Sequence, residues 1–476
     1  MRKIVDRGIF SYKVGVKNYQ TNSVRLYRLL LQSPTRISIC GFLILISMGT
    51  FLLMLPAAST SKSLNLVDAL FTATSASCVT GLIVLDTGRS LSHLGQSVIL
   101  VLIQAGGLGI MTISTLFLLI AGRRPSLIGQ VVIQDTFTRG ADRTVGSILK
   151  DVALFTFVFE ALGTVLLFFR FFPERSMGEA LFLAVFHAIS AFCNAGFSVF
   201  ADSFVGYGND WTLNLVICFL IISGGIGFPV LSELKRQWPL NRGKWSRLSL
   251  HTKLVLSTTA ILLVFSTLCF LLMEWENTLA PLPVPHRFLA SFFQAVSART
   301  AGFNTLFIDK MANETLFIFI LLMFIGASPG SCGGGIKTSS LATLVLLGLS
   351  RLRGQPRPQV FHRTISEASV GKALSLVMVS TVVIVAGTLA LLMSELGEIP
   401  HYLSRGKFLE LLFEVVSAFG TVGLSTGVTT GLSTLGKLII TLTMFVGRIG
   451  PLVVVLAISR RTTTRFYYAD ENIIVG

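Results

Sequence analysis

A short motif recurs four times along this chain and constrains its fold more than any other feature of the sequence. Each copy ends in a glycine followed by Leu or Phe, and a phenylalanine stands ten residues before that glycine. The glycines are Gly81, Gly196, Gly302 and Gly423, and the phenylalanines are Phe71, Phe186, Phe292 and Phe413. The third copy also admits an alignment shifted by one residue, because Phe293 follows Phe292. Similar intervals between the glycines indicate one structural unit that occurs four times.

The composition places these units in a membrane. Of 476 residues, 52% are hydrophobic and only 13% are charged, and the mean hydropathy is +0.75. The net charge of +16 fits cytoplasmic loops that obey the positive-inside rule. Nucleic-acid binding is disfavoured, because no basic stretch carries interleaved aromatic residues. The six cysteines form no C-x-x-C pattern, so neither a zinc site nor a disulfide framework is indicated.

Eight apolar stretches are long enough to cross the hydrocarbon core, which takes about 20 residues. They are Ile37–Leu55, Val98–Ile120, Val152–Phe169, Trp211–Leu231, Leu254–Met273, Leu316–Leu347, Ala373–Met393 and Leu438–Ile458. Between the members of each pair lies a stretch too short to span, such as Val67–Ser77 or Glu179–Phe192. We therefore predict an all-α membrane protein with four repeated span–pore helix–span units around one central pore, giving eight transmembrane spans and four re-entrant pore loops.

These units predict the domain boundaries. We expect a cytoplasmic N-terminal segment at 1–36, pore repeats at 37–121, 147–239, 252–350 and 369–460, an intramembrane gate loop at 326–340, and a cytoplasmic C-terminal tail at 461–476. Lys and Arg crowd the termini and the links between units, so both termini and those links are predicted to be cytoplasmic. Each pore helix then enters from outside, and its partly negative C-terminal end points to the pore, which favours a cation.

The motif residues suggest a cation filter. Small residues and glycine let backbone carbonyls turn toward a common axis, and a ring of such carbonyls replaces the water shell of an alkali cation. The predicted filter residues are Cys78, Val79, Thr80, Gly81, Cys193, Asn194, Ala195, Gly196, Arg299, Thr300, Ala301, Gly302, Gly420, Thr421, Val422 and Gly423. The alternative is helix packing through small residues, which is common in membranes. Four copies at the same place in their units favour the filter.

The sixth span is interrupted by a glycine-rich stretch at 326–340. Proline and repeated glycines disfavour a continuous helix there, and unwound backbone at membrane depth survives only where it is buried or lines water. We predict an intramembrane gate whose residues are Gly326, Pro329, Gly330, Gly333, Gly334, Gly335, Lys337 and Arg448. The alternative for the loop is a structural kink.

Two intramembrane charges and three further glycine runs accompany the gate. Arg448 is predicted to face the pore as a positive barrier, because a mid-membrane arginine is costly unless it meets water or a partner; the alternative is a packing arginine paired with a carbonyl. For Glu160 we favour a buried, hydrogen-bonded carboxylate. The runs at 106–109, 224–227 and 447–450 are expected to allow bends or close packing.

The motifs at 297–303 (Ser-Ala-Arg-Thr-Ala-Gly-Phe), 333–337 (Gly-Gly-Gly-Ile-Lys) and 447–451 (Gly-Arg-Ile-Gly-Pro) resemble those of the Trk/Ktr/HKT superfamily of K⁺ transporters. The likeness covers nearly the whole chain and is closest to the membrane subunits of bacterial Ktr systems. It implies that the four glycines line a K⁺ filter, that the loop at 326–340 gates the pore, and that Arg448 sits beneath it. Pro329 and Cys332 depart from the Ser/Thr-rich loop typical of the family.

The resemblance also implies a setting and partners. It implies a multi-pass protein of the bacterial cytoplasmic (inner) membrane and a homodimer with one pore per subunit. A cytoplasmic nucleotide-binding ring of the KtrA type, with regulator-of-K⁺-conductance domains, would bind the nucleotide. K⁺ is the transported ion, and Na⁺ as an activator stays open. All four filter glycines are present, unlike HKT proteins with serine at the first position, which disfavours Na⁺ selectivity.

Two other functions compete with a K⁺ pore driven by the membrane potential. A K⁺/Na⁺ or K⁺/H⁺ symporter of the same superfamily would need a coupling site, and the acidic residues are too few and scattered to identify one. A membrane-embedded enzyme would need clustered carboxylates or histidines, whereas the six histidines are dispersed and no H-E-x-x-H occurs. The sequence therefore predicts a transporter and not an enzyme.

Overall fold

The structure is a computed structural model that describes residues 34–60, 63–109, 145–238 and 242–451. Most of the predicted N-terminal segment, the end of the first repeat, and the predicted C-terminal tail lie outside the described residues. The same holds for many of the basic residues that predicted the orientation of the chain.

Each of the four units consists of a first span, a pore helix and a second span, in that order. The first spans are Pro34–Met54, Val145–Phe171, Leu250–Met273 and Glu367–Glu395. The pore helices are Leu66–Ser77, Met177–Phe192, Val284–Ser297 and Lys407–Gly420. The second spans begin with the helices His93–Leu108, Trp211–Ile226, Asn313–Phe324 and Thr434–Ile449.

Short elements connect these helices. The further helices are Thr87–Ser90, Phe228–Gln237, Arg242–Arg247 and Thr338–Leu352. Single 3-10 turns occupy Pro56–Ala58, Val205–Tyr207, Ile308–Lys310, His401–Leu403 and Val428–Gly431. Between the third and fourth units, strands Gln359–Val360 and Arg363–Thr364 pair antiparallel as a small hairpin.

Only some of the described helices are long and apolar enough to be complete spans by themselves. In the described part of the chain, Leu149–Phe171, Leu250–Met273 and Glu367–Glu395 are long and apolar enough to cross a membrane alone. Trp211–Ile226 and Phe228–Gln237 together pass the same test, but they meet at an angle of 98°. The predicted span Trp211–Leu231 is therefore bent, as the glycine run at 224–227 suggests, and the chain turns at Gly227, whose φ of +99° suits glycine.

The third unit also breaks its second span, as the glycine-rich stretch predicts. The helix Asn313–Phe324 ends before the loop, and the next helix begins at Thr338. The loop is therefore slightly shorter than predicted, because residues 338–340 belong to the following helix. Ile325 and Ile336 form a parallel bridge at the base of the loop, and Gly326 N donates to Ile336 O at 2.7 Å.

The pore helices form the buried centre, while the first spans turn apolar side chains outward. Phe157, Leu272 and Met393 on three first spans are exposed, as expected of side chains that face lipid. By contrast, a phenylalanine at or next to the motif position is fully buried in each pore helix. These are Phe71, Phe186, Phe293 and Phe413. The third copy of the motif is therefore aligned on Phe293, and the first alignment, on Phe292, is wrong for that copy.

Candidate cation filter and gate

The four motif glycines meet in a closed ring. A Cβ built on any one of them would lie less than 3.0 Å from the carbonyl oxygen of the residue that precedes the next glycine around the ring. These approaches run from Gly81 to Ala195, from Gly196 to Ala301, from Gly302 to Val422 and from Gly423 to Thr80. The last step returns to the first unit, so segments far apart in sequence surround one axis. Because any side chain would strike a neighbouring carbonyl, only glycine fits at these positions.

The filter backbone has the same unusual conformation in every unit. The four glycines have φ values of +91°, +71°, +79° and +90°. Two residues before each glycine, Val79, Asn194, Thr300 and Thr421 have φ values of +55°, +57°, +72° and +50°. Left-handed backbone is uncommon outside glycine and costly for β-branched residues. Strain of this kind, repeated at one position in four units, is typical of functional sites.

The recurring Ser-Ala pair ties each filter segment to its own pore helix. Ser75 Oγ accepts a hydrogen bond from Gly81 N at 3.1 Å, and Ser417 Oγ accepts one from Gly423 N at 3.1 Å. In the second unit, Ser190 Oγ donates to Phe197 O at 2.8 Å. Ser297 does the same to Phe303 O in the third unit. In each unit the serine thus hydrogen-bonds the filter backbone, which explains why it recurs with the glycine.

The loop of the third unit is seated in the break of the second unit. Ser328 N donates to Gly225 O at 3.1 Å, and Phe228 N donates to Gly330 O at 2.9 Å. A Cβ on Gly227 would lie 2.6 Å from Pro329 O, so the bend in the second unit leaves room for the loop. The left-handed Gly330 and Gly335, with φ of +69° and +67°, turn the loop back on itself.

The same loop lies against the lower edge of the filter. Gly334 N donates to Thr421 Oγ1 at 2.9 Å, and a Cβ on Gly333 would overlap Thr300 Oγ1. Lys337 Nζ donates to Gly333 O at 2.6 Å and braces the loop from within. The hydrogen-bonded backbone of the loop therefore lies directly against two of the four filter segments.

This architecture has known counterparts. The family model TrkH, described as a cation transport protein, matches residues 2–464. The chain belongs to the TrkH family of cation transport proteins. It is 40% identical over 446 residues to Ktr system potassium uptake protein B of Bacillus subtilis, covering 93% of this chain and 97% of that protein. To the protein of the same name from Vibrio alginolyticus it is 38% identical, covering 93% and 94%.

A solved structure supports the fold of this TrkH-family chain. The potassium transporter TrkH from Vibrio parahaemolyticus superposes with a TM-score of 0.71 at 17% sequence identity, covering 89% of this chain and 84% of that one. The predicted fold class, an all-α membrane protein of repeated span–pore helix–span units, is confirmed. The relatives are cation transport proteins, and no catalytic activity is indicated.

Within the TrkH-family fold, Arg448 joins units that are far apart in sequence. Its guanidinium donates to Cys332 O in the loop, to Gly106 O, and to Gly107 O at 3.3 Å. Sequence reasoning favoured a pore-facing positive barrier, but the structure places the group in the alternative role, paired with carbonyls. The cause is the high cost of an unpaired charge at this depth. Arg448 is thus a clasp between the loop and the first unit.

The other glycine runs give close packing, as expected from the sequence. Gly106, Gly224 and Gly447 each leave room for a carbonyl at the end of the pore helix of the same unit. Those carbonyls belong to Ser77, Phe192 and Phe419. A side chain at any of the three glycines would push the second span away from the filter.

Two further charged residues are Glu160 and Arg299. Glu160 Oε2 accepts a hydrogen bond from Gln104 Nε2 at 3.2 Å, as predicted for a hydrogen-bonded carboxylate. The Arg299 side chain lines a small cavity with Thr259 and Ala327, so it lies behind the filter. Only the backbone of Arg299 can take part in a carbonyl ring.

Sequence reasoning missed a set of anchors on the pore helices. The residue after each of Phe71, Phe186, Phe293 and Phe413 is polar, and in three units it holds the chain that leaves the filter. Glu414 accepts from Thr426 N at 3.0 Å and from Thr429 Oγ1 at 2.6 Å.

The second and third units have their own versions of this anchor. His187 Nε2 lies 3.1 Å from Ser198 Oγ. Gln294 Oε1, in the amide orientation that satisfies its neighbours, accepts from Thr305 N at 3.1 Å. The signal was a polar residue at one fixed motif position within an otherwise apolar helix.

Proposed function

We propose that this chain takes up K⁺ across the bacterial cytoplasmic membrane through a channel-like pore. The observation that carries the proposal is the closed ring of four glycines, with left-handed backbone at the same two positions in every unit. Backbone carbonyls around one axis suit a desolvated K⁺ ion. The names of the relatives from Bacillus subtilis and Vibrio alginolyticus, potassium uptake proteins, support K⁺ as the ion.

In this proposal, K⁺ is bound by carbonyls of residues 78–81, 193–196, 299–302 and 420–423. The membrane potential supplies the drive, worth about 2.3 kcal/mol per charge for each 100 mV. The loop at 326–340 is the gate; Lys337 braces it from within, and the Arg448 clasp holds it to the first unit. Its seat between the second unit and Thr421 supports a blocking position, since a passing ion would meet the loop directly after the filter.

The remaining proposals concern orientation and regulation. Both termini and the inter-unit links face the cytoplasm, and the pore repeats have the boundaries predicted from the sequence. The protein works as a homodimer beneath which a KtrA-type ring with regulator-of-K⁺-conductance domains binds nucleotide. Relatives named as Ktr system proteins support the existence of a partner.

A sodium-linked alternative has its own support. The chain is 36% identical over 449 residues, 93% of its own length, to potassium/sodium uptake protein NtpJ of Enterococcus hirae. Na⁺ therefore either activates the pore or moves together with K⁺. Parallel flux measurements with radioactive Na⁺ and K⁺ separate these two cases, because only a symporter carries both ions in a fixed ratio.

The deciding experiment is growth rescue. Expression of the chain in cells that lack their own K⁺ uptake systems should restore growth at low K⁺, together with net K⁺ uptake. The partner ring is co-expressed in one arm. Uptake in that arm alone would mean that the chain forms a pore that needs its partner to open. No uptake in either arm, with the protein inserted in the membrane, would refute K⁺ uptake.

A further inference from the structure

A small cavity behind the third filter segment brings together polar groups from two different helices. It has a volume of about 10 Å³ and is lined by the first span of the third unit, the second span of the second unit, the end of the third pore helix and the loop at 326–340. Among the described residues that line it, Arg299 and Thr259 alone are polar, and the others are aliphatic or glycine. The cavity is therefore a polar site within an apolar wall.

Arg299 brings a positive charge to this cavity. Its side chain is only 8% exposed, and its Nε has no hydrogen-bond partner within the described ranges. Its guanidinium also forms no ion pair with a described carboxylate. An isolated charge that loses its hydration is costly. Arg448 avoids this cost by donating to three backbone carbonyls, so Arg299 has to be neutralised in another way.

Thr259 brings a second donor to the same cavity. The residue is 6% exposed, and its Oγ1 has no hydrogen-bond partner in the described part of the chain. On the same helix, Thr267 Oγ1 donates to Leu263 O at 2.7 Å, the usual way in which a threonine satisfies its hydroxyl inside a helix. Because Thr259 makes no such bond, its hydroxyl can donate to a species in the cavity.

The size and the charge of the site together identify what it binds. A cavity of about 10 Å³ holds a single species close to water in size. A phosphate, sulfate or carboxylate group has several oxygens around its central atom and is too large. A water molecule could accept a hydrogen bond, but it would leave the charge of Arg299 uncompensated. A monatomic anion accepts hydrogen bonds from both residues and also supplies the opposite charge.

We propose that Arg299 and Thr259 bind a chloride ion behind the third filter segment. Arg299 Nε and Thr259 Oγ1 donate to the anion, and the aliphatic walls strengthen the attraction by lowering the local dielectric constant. Under the proposed function, the backbone of Arg299 belongs to the filter, so its charge lies close to the path of the cation. The bound anion offsets this charge and keeps the filter attractive to K⁺. This effect on K⁺ rests on the proposed function, whereas binding of the anion does not.

The first experiment locates the anion. Crystals of the full-length protein are grown in sodium bromide, because bromide scatters anomalously and resembles chloride in size and charge. One anomalous peak between Arg299 and Thr259 is expected. Density that fits only a water molecule there would overturn the proposal.

The second experiment measures binding in solution by thermal unfolding of the full-length protein in detergent, with chloride replacing gluconate at constant ionic strength. The midpoint should rise saturably by at least about 2 °C, because a ligand that binds only the folded state stabilises it. Thr259→Val should need at least about tenfold more chloride for the same rise, because it loses a hydrogen bond to a charged group. Thr267→Val is the matched control and should behave like the unaltered chain, because the Thr267 hydroxyl bonds within its own helix.

The third experiment measures K⁺ uptake into proteoliposomes with the same anion on both sides. Gluconate in place of chloride should lower the initial K⁺ uptake velocity at least about threefold, because the uncompensated charge of Arg299 then repels the cation. Thr259→Val should shift this dependence to higher chloride concentration. Arg299→Gln removes the charge and should abolish the dependence on chloride, whatever its own velocity. If Arg299→Gln is not inserted, Thr259→Val decides the test.

The remaining outcomes separate the anion site from its effect on transport. A bromide peak with an unfolding midpoint insensitive to chloride would mean binding at crystal concentration only. An unaltered response to chloride in Thr259→Val and Arg299→Gln would place the anion elsewhere. Chloride-independent uptake by a protein that binds the anion would remove the effect on K⁺. A protein that takes up no K⁺ in any medium contradicts the proposed function instead, and the bromide peak and the midpoint still decide the anion site.

Discussion

The four units contribute alike to the filter ring but differently to the layer directly beneath it. In the ring, all four units contribute a left-handed glycine, a left-handed residue two positions earlier, and a tie to a pore-helix serine. In the layer beneath, the units differ. Within the described ranges, only the third unit inserts a loop, the fourth supplies Arg448, and the second supplies the seat for the loop.

The difference follows from what each layer has to contact. A cation on the axis is approached equally from four sides, so four copies of one backbone arrangement suit it. A plug has to enter from one side and be held from the others, which four like units cannot do. Under the proposed function, selectivity therefore depends on the repeat, and gating depends on departures from it.

The sharpest way to break this comparison is to alter one glycine of the ring. In Gly423→Ser the new side chain meets Thr80 O, and left-handed backbone costs a non-glycine residue about 1–2 kcal/mol. We expect uptake from low K⁺ to fall at least about tenfold, with weaker K⁺ over Na⁺ discrimination. Gly431→Ser is the matched control, because nothing lies within 4 Å of a Cβ there. Similar losses in both variants would mean that serine harms the fold generally.

The other three ring glycines extend this test. Gly81→Ser, Gly196→Ser and Gly302→Ser should behave like Gly423→Ser, since each would also strike a carbonyl of the next unit. Unchanged K⁺/Na⁺ selectivity in all four inserted variants would refute the filter assignment.

Shortening the loop tests the layer beneath the ring, in which the four units differ. Deletion of Ser331–Gly334 removes the backbone that contacts Thr300 and Thr421, so the initial K⁺ uptake velocity should rise by roughly tenfold. Selectivity should stay, because the four glycines contact one another directly. A lower velocity, in protein shown to be inserted and dimeric, would make the loop a structural kink.

Loss of the Arg448 clasp should raise the initial K⁺ uptake velocity less than the loop deletion does. Arg448→Gln removes a charged donor from Cys332 O and Gly106 O, but leaves the contacts of the loop with the second unit. We expect the uptake velocity to rise by about threefold. The effect is modest because water partly replaces the lost hydrogen bonds of the charged group. Arg353→Gln, at an exposed arginine, should leave the velocity unchanged. Reduced flux in Arg448→Gln would contradict the clasp.

The outer anchors should give the smallest change in transport. Glu414→Gln weakens the acceptor for Thr426 N and Thr429 Oγ1, so the free energy of unfolding should fall by about 1–3 kcal/mol. The K⁺/Na⁺ selectivity should change by less than about threefold. Glu410→Gln on the same helix breaks only a surface pair with Lys407, worth about 0–1 kcal/mol. Thermal unfolding in detergent compares the two, and equal midpoints would deny Glu414 an anchoring role.

Much of the ring could be read from the chain, because it depends on local requirements that repeat. A left-handed position admits glycine, a pore helix needs a short apolar run, and the serine acts within its own unit. The anchors at His187, Gln294 and Glu414 obey the same logic and could have been found from the residue after the motif phenylalanine. The alignment of the third copy could not, since only burial distinguishes Phe293 from its neighbour.

The sequence by itself determined the fourfold unit, the membrane environment, the glycines of the ring and the break in the sixth span. Each of these follows from residue type and spacing within one segment. Only the tertiary structure decided that Arg448 holds carbonyls of the first unit and the loop, and that the bend at Gly227 receives the loop. Such partners are separated by more than one hundred residues, and their contact depends on how four helical units close around one axis, which no local pattern encodes.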